Sequence, residues 1–394
     1  MPEGRPLLWS DGKSEQHMRD SNKLHLRIKI SRILILLLLI SVLLSDTATP
    51  AFAADETELK ADKILSGMSM DEKIAQMMVV SMPQKKARSV QSEYQFGGYI
   101  LFARDFKRSS RKGLIREIAA CQDVSDTGML IGVDEEGGTV VRASYYKKFR
   151  KRKFRSPRQV YKAGKYAAIE KDTKSKDQFL RDLGINCNFG PVADVAYKKS
   201  NFMYARSFGT KAAKVSKFVR ITVEQMDRDN MVSVLKHFPG YGKNGDTHGK
   251  IIRDKRSFVT FLTRDLRPFN AGIDAGADMI MLSHTVVNAF DKQNPASLSK
   301  NIHNYIRDNM GFDGVLITDG LGMKGVTEFA GGDQGKAAVL AVQAGNDMIC
   351  ATGNYSKCFE ALKKAVKKGT IDTEQIDASV KRILIMKIRR GIIE

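Results

Sequence analysis

From residue 55 onward, short runs of consecutive apolar residues alternate with longer segments whose apolar positions recur at helical spacing. The runs are MMVVSM (77–82), GGYILF (97–102), MLIGVD (129–134), INCNFGPVADV (185–195), MVSVLKHF (231–238), DMIMLSH (278–284), GVLITD (314–319) and DMIC (347–350). Unbroken apolar runs of this length suit parallel strands covered on both faces. Helix signals fill the gaps. SMDE (69–72) is a capping box ahead of KIAQMM. KAAKVSKFVRITVEQM (211–226) has one apolar face, and NIHNYIRDNMG (301–311) ends on a glycine. AGADMIM (275–281) echoes AGNDMIC (344–350), each leading a helix end through glycine into a strand. Eight such units predict an α/β chain folded as a single-domain (β/α)8 TIM barrel, with an open doubly wound sheet as the alternative.

The N-terminal residues break this pattern. Lys23, Arg27, Lys29 and Arg32 precede ILILLLLISVLL (33–44), which is shorter than the roughly 20 residues that span a bilayer. Ala51-Phe52-Ala53 then fits a small-x-small cleavage site. Residues 1–53 therefore read as a signal peptide cut after Ala53, and 54–394 as one exported domain with no stable membrane span. An uncleaved anchor is the alternative, and Met18 is a second candidate start. No cysteine follows the apolar run, which argues against lipid modification. Cys121, Cys187, Cys350 and Cys358 lack metal-ligand spacing. A large core needs no disulfide, so buried free thiols are expected ahead of a Cys350–Cys358 pair.

The formal net charge is +21, and about +19 without residues 1–53, which hold seven basic and five acidic residues. YYKKFRKRKFRSPR (145–158) carries eight Lys or Arg between Lys147 and Arg158. For a secreted protein the matching polyanions are cell-wall polymers and anionic lipid surfaces. No recognition motif accompanies the charge, so nucleic acid is not expected. The bland alternative is a solvated loop.

Polar residues close the predicted strands: Asp134, Asp194, Lys236 with His237, His284 and Asp319. Each alone is equally explained as a cap or turn former. In a barrel, however, these ends share the rim where active sites lie. SVLKHFPGYGKNGDTHG (233–249) is the densest stretch. Lys236 and His237, on the strand, suit fixed donors to a ligand's hydroxyls. Gly240, Gly242 and Gly245 relax the adjoining loop. Asp246 can accept a ring N–H from His248, fix its tautomer and raise its basicity. Such a loop could carry the pair over a rim pocket and away again. Asp319 can be a nucleophile, a metal ligand or a cap. A metal site from His237, Asp246 and His248 matches no common zinc spacing.

KHFPGYG followed by DTH resembles the signature of the β-N-acetylglucosaminidase branch of glycoside hydrolase family 3. GGYILFARD, GVDEEGGTVVR, LGINCNFGPVADV, ARSFG, PASLS and GFDGVLITDGLGM agree in the same order, across roughly residues 60–390. The resemblance implies a barrel without metal or cofactor. It implies Asp319 as nucleophile, His248 as acid/base and Asp246 as its partner. It implies that Asp134, Arg142, Arg206, Lys236 and His237 hold a terminal N-acetylglucosamine of a cell-wall fragment. Tyr241 stands where many members have histidine, and Gly320 where a second acid is common. A histidine acid/base, with a reference pKa of about 6.5, suits neutral pH. It also repels an incoming anion less than a carboxylate would, so phosphate could replace water as acceptor. A phosphorylase and a catalytically silent wall-binding barrel are the alternatives. A β-glucosidase or β-xylosidase fits less well, because those usually take their acid from a second domain. The basic run 145–158 comes just after the expected sugar-binding segment and is expected to attract anionic wall polymer.

Overall fold

The computed structural model describes residues 49–247 and 249–394. Ten strands occur among them: β1 (Met78–Ser81), β2 (Gly98–Leu101), β3 (Leu130–Val133), β4 (Cys187–Asn188), β5 (Val232–Phe238), β6 (Ile252–Asp254), β7 (Met279–Leu282), β8 (Thr285–Val287), β9 (Val315–Gly320) and β10 (Met348–Thr352). All but β6 and β8 close into a parallel barrel in the order β1-β10-β9-β7-β5-β4-β3-β2. Each barrel strand falls on one of the predicted apolar runs. Pairing of β1 with both β2 and β10 completes the ring and rules out the open sheet. β6 and β8 form a separate two-stranded sheet, which joins the loop after β5 to the segment after β7. Their shortness, and the charged surroundings of β6, leave no apolar run to read.

The helical signals hold locally. Ser69 caps the helix Met70–Gln76 with both capping-box bonds present. The helix Ala212–Arg228 buries Val215, Phe218, Val219, Val223 and Met226, one stripe at helical spacing. The echoed glycines, Gly276 (φ +83°) and Gly345 (φ +113°), both sit in the left-handed conformation before a strand.

The strand register positions the site. Along the β5–β7 pair, Lys236 is opposite Met281 and Phe238 opposite Leu282, so His237 is an extra residue in β5. Adjacent side chains in a regular strand point to opposite faces. A bulge re-aims them, and here Lys236 and His237 both reach the same cavity. The Lys236–His237 peptide is cis.

The barrel belongs to a compact unit, Lys60–Glu394. The predicted signal peptide lies outside the described residues as far as residue 48. Among the described residues, no helix is long and apolar enough to cross a membrane. Cys121, Cys187, Cys350 and Cys358 are buried free thiols.

Candidate active site

A cavity of about 770 Å³ opens at the C-terminal ends of the barrel strands. Its lining includes Asp134, Arg142, Arg206, Lys236, His237, Asp246 and Asp319. Every predicted site residue is thus brought to one cavity, except His248, which lies outside the described residues. The volume is within the range of small-molecule sites.

The wall rooted in β3 and β5 is a closed network of charges. Lys236 Nζ lies 2.6 Å from Asp134 Oδ1 and 2.7 Å from Glu136 Oε1. Arg206 grips Glu136 with Nε at 2.9 Å and Nη2 at 2.6 Å, a two-pronged pairing. Burial alone would raise the Glu136 carboxyl, but the Arg206 and Lys236 charges outweigh it and hold it well below the ordinary range. Burial likewise opposes charge on Lys236, and Asp134 and Glu136 overcome it and raise the ammonium above its usual value. The Lys236 side chain is only 1% exposed, whereas Asp134 is 17%, Arg206 16% and Arg142 30% exposed. Lys236 is therefore occupied between two carboxylates, and Asp134, Arg206 and Arg142 offer the accessible polar atoms.

Asp194 sits behind His237. Its Oδ2 is 2.8 Å from Nδ1 of the ring, and its Oδ1 accepts the Tyr241 N–H at 2.7 Å. On the other side, Arg206 Nη2 lies 3.1 Å from His237 Nε2. A guanidinium only donates, so Nε2 accepts and the ring hydrogen sits on Nδ1, facing Asp194.

Asp319, next to last in β9, is half-buried in the cavity lining, its Oδ1 accepting the Gly320 N–H at 2.7 Å. Burial pushes this carboxyl up. The His237 and His284 imidazoles, the Gly320 N–H and Lys236 overcome that push and keep it below the ordinary value, hence ionised at neutral pH. His284 braces the same turn, with Nδ1 2.7 Å from Ser297 Oγ and Nε2 3.1 Å from the Gly320 carbonyl oxygen.

The loop after β5 is tied down more than its glycines suggest. Tyr241 Oη and Thr247 Oγ1 are 2.7 Å apart, and the carbonyl of the buried Thr247 accepts the Gly325 N–H at 3.1 Å. Arg256 donates to the Gly240 carbonyl at 2.5 Å and pairs with both Asp254 and Asp265. Gly242 has φ +57°, and a Cβ there would lie 2.2 Å from Arg256 Nη1, so glycine is required. Asn244 Nδ2 also donates to Asp254 Oδ2 at 2.6 Å, so among the described residues the loop is held at Tyr241, Asn244 and Thr247, more tightly than the expected swing requires.

Sequence reasoning missed Glu136 and left Asp194 as a bare strand end. Glu135 and Glu136 are neighbours that look alike. Glu135 turns inward, where its carboxylate accepts the N–H groups of Arg142 and Ala143 at 3.0 and 2.9 Å and pairs with the Ser144 hydroxyl. It thereby sets the segment that carries Arg142. Among the described residues, no cluster of three or more His, Cys, Asp or Glu is arranged to hold a metal ion.

Residues 69–386 match the model of the glycosyl hydrolase family 3 N terminal domain. The chain belongs to glycosyl hydrolase family 3. This glycoside hydrolase is 32% identical over 280 residues to a Beta-hexosaminidase of Methylobacillus flagellatus, covering 68% of this chain and 76% of that one. The glycoside hydrolase also superposes on a family 3 beta-N-acetylglucosaminidase of Paenibacillus with a TM-score of 0.77 and 29% identity, covering 83% of this chain and 63% of that chain. The LpqI structure of M tuberculosis matches with a TM-score of 0.74 and 26% identity, over 83% of this chain and 96% of that one.

Proposed function

We propose that this glycoside hydrolase is an exported exo-β-N-acetylglucosaminidase. It removes terminal non-reducing N-acetylglucosamine from peptidoglycan or chitin-like fragments by double displacement with retention. Asp319 attacks the anomeric carbon while His248 protonates the departing glycosidic oxygen. Water then gives a proton to His248 and attacks the glycosyl-enzyme, releasing Asp319. Asp246 orients His248; Asp134, Arg142 and Arg206 hold the sugar's polar groups, and Lys236 and His237, already paired with Asp134, Glu136, Asp194 and Arg206, position them. The observation that carries this reading is Asp319, an ionised carboxylate in the cavity beside the Asp134–Lys236–Glu136–Arg206 network. The names of the Methylobacillus and Paenibacillus relatives support the sugar. A relative from Arthroderma benhamiae named as a secreted glycosyl hydrolase, 29% identical over 78% of this chain, supports export.

Incubating the protein with purified muropeptides, with and without phosphate, and weighing the released sugar tests the reading. Free N-acetylglucosamine in both conditions is expected. A sugar 1-phosphate would replace hydrolysis by phosphorolysis. No release from muropeptides, chitin oligomers or a chromogenic N-acetylglucosaminide would overturn the assignment.

A further inference from the structure

The segment between β3 and the helix Pro157–Arg181 carries charge that the proposed chemistry does not use. Eight Lys or Arg lie between residues 147 and 158, and no Asp or Glu occurs from 143 to 169. Lys147, Lys148, Lys151, Arg152, Lys153 and Arg155 are exposed. None of the eight is ion-paired to a carboxylate among the described residues, whereas several surface cations elsewhere are, such as Lys363 with Asp71 at 2.6 Å and Arg228 with Glu170 at 2.7 Å. The unpaired charges sit on a built platform. Phe149 packs edge-on against Phe106 at 5.3 Å, Phe154 against Phe179 at 5.7 Å, and Glu135 fastens the segment's start. Beside them lies a groove of about 560 Å³ whose wall includes Lys153, Arg155 and Arg158. The Arg158 guanidinium is fixed there, stacked 3.8 Å from the Tyr204 ring and donating to the Tyr204 and Ser207 carbonyls.

We propose that this groove and platform dock a linear acidic polysaccharide, outside the catalytic cavity. Repeated cations without internal acids call for a repeated anion, and guanidinium forks match carboxylates. Tyr145, 64% exposed beside the cations, offers a flat face to a sugar ring. One exposed aromatic supplies neither the apolar face that enters a bilayer nor a stack for successive bases. The groove adjoins the cavity. Thr139 and Ala205 line the groove, and the next residues, Val140 and Arg206, line the cavity. A docked polymer therefore holds the cavity mouth against the same polymer network; that consequence rests on the function proposed above, whereas docking itself does not.

The test compares the whole protein with the variant Lys151→Ser/Lys153→Ser/Arg155→Ser, using polygalacturonate as probe and dextran, duplex DNA and phosphatidylglycerol vesicles as controls. The variant is expected to lose roughly tenfold or more of its polygalacturonate affinity at low salt, with a flatter salt dependence. Its kcat and KM on a small neutral N-acetylglucosaminide stay unchanged, because none of the three residues lines the cavity. If the triple variant melts early, Lys147→Ser/Arg152→Ser gives the same comparison on two other exposed cations. Unchanged affinity, absence of polygalacturonate binding, or tighter binding to DNA or vesicles overturns the proposal. Polymer binding without any glycosidase activity would instead overturn the function above and leave this one standing.

Discussion

The wall rooted in β3, β5 and β9 and the loop after β5 face the same cavity but are held by different means. In the wall, Lys236 lies between Asp134 and Glu136, Arg206 pairs with Glu136, and the carboxyls of Glu136 and Asp319 are held below their ordinary values. In the loop, anchorage combines backbone and amide hydrogen bonds with a neutral hydroxyl pair, Tyr241 with Thr247, and an Arg256 cluster whose Asp265 is pushed up to about 6. The wall is set for a fixed ligand pose across a wide pH range. The loop is restrained by contacts that a single proton or a single hydroxyl can alter. A site with one rigid side and one adjustable side can hold a sugar while presenting and withdrawing an acid.

Breaking the strand-rooted side gives the largest expected effect. Asp319→Ala should lower turnover on the order of 10⁴-fold or more without a comparable rise in KM, measured with a chromogenic N-acetylglucosaminide. On the loop side, His248→Ala should cost roughly 10²–10⁴-fold on a natural disaccharide and much less on substrates with good leaving groups. Equal losses across leaving groups would remove His248 from the acid role. Lys236→Met leaves Glu136 and Asp134 facing each other without their shared cation. It should destabilise the fold by about 3–5 kcal/mol in denaturant titrations.

Two smaller changes sharpen the contrast. Burial raises Asp265 from 3.8 to about 6, against the pull of Arg256 and Arg264. Between those values the folded protein keeps a proton that the unfolded chain has lost. This group's contribution to stability is therefore greatest at the acid end and is lost as pH rises through about 6. Asp265→Asn cannot titrate, and its melting temperature should lack that decline, a difference on the order of 2–3 kcal/mol. Glu136 has the opposite sign. Its depressed carboxyl contributes stability above the ordinary glutamate pKa, and that contribution is lost only under stronger acid. Finally, Tyr241→Phe removes the bond to Thr247 and should cost about 1 kcal/mol. It should also change kcat more than KM, because it loosens the loop and leaves the wall intact.

The fold was largely legible because parallel strands buried on both faces leave unbroken apolar runs, as in GVLITD and MLIGVD. The meeting of candidate residues at one cavity was legible where polar residues end those runs, as with Asp134, Lys236 and Asp319. Glu136 was not, because the choice of which glutamate of Asp-Glu-Glu meets Arg206 is made by the turn after β3, seventy residues away from its partner. Asp194 carried a signal but not its meaning, since its hold on His237 exists only once β4 and β5 lie side by side. The restraint on the β5 loop was hidden for a similar reason. Glycines report what a backbone is permitted to do, and Arg256 and Thr247 decide what it does.

The register slip at His237 has a further implication for how this chain can vary. Deleting that extra residue would leave Lys236 opposite Met281 and Phe238 opposite Leu282 in a regular ladder, with the phenyl ring still packed on Phe269 at 5.1 Å and only the imidazole lost from the cavity wall. The extra residue thus adds a second cavity-facing side chain to the strand while the packing beneath the helices keeps its register.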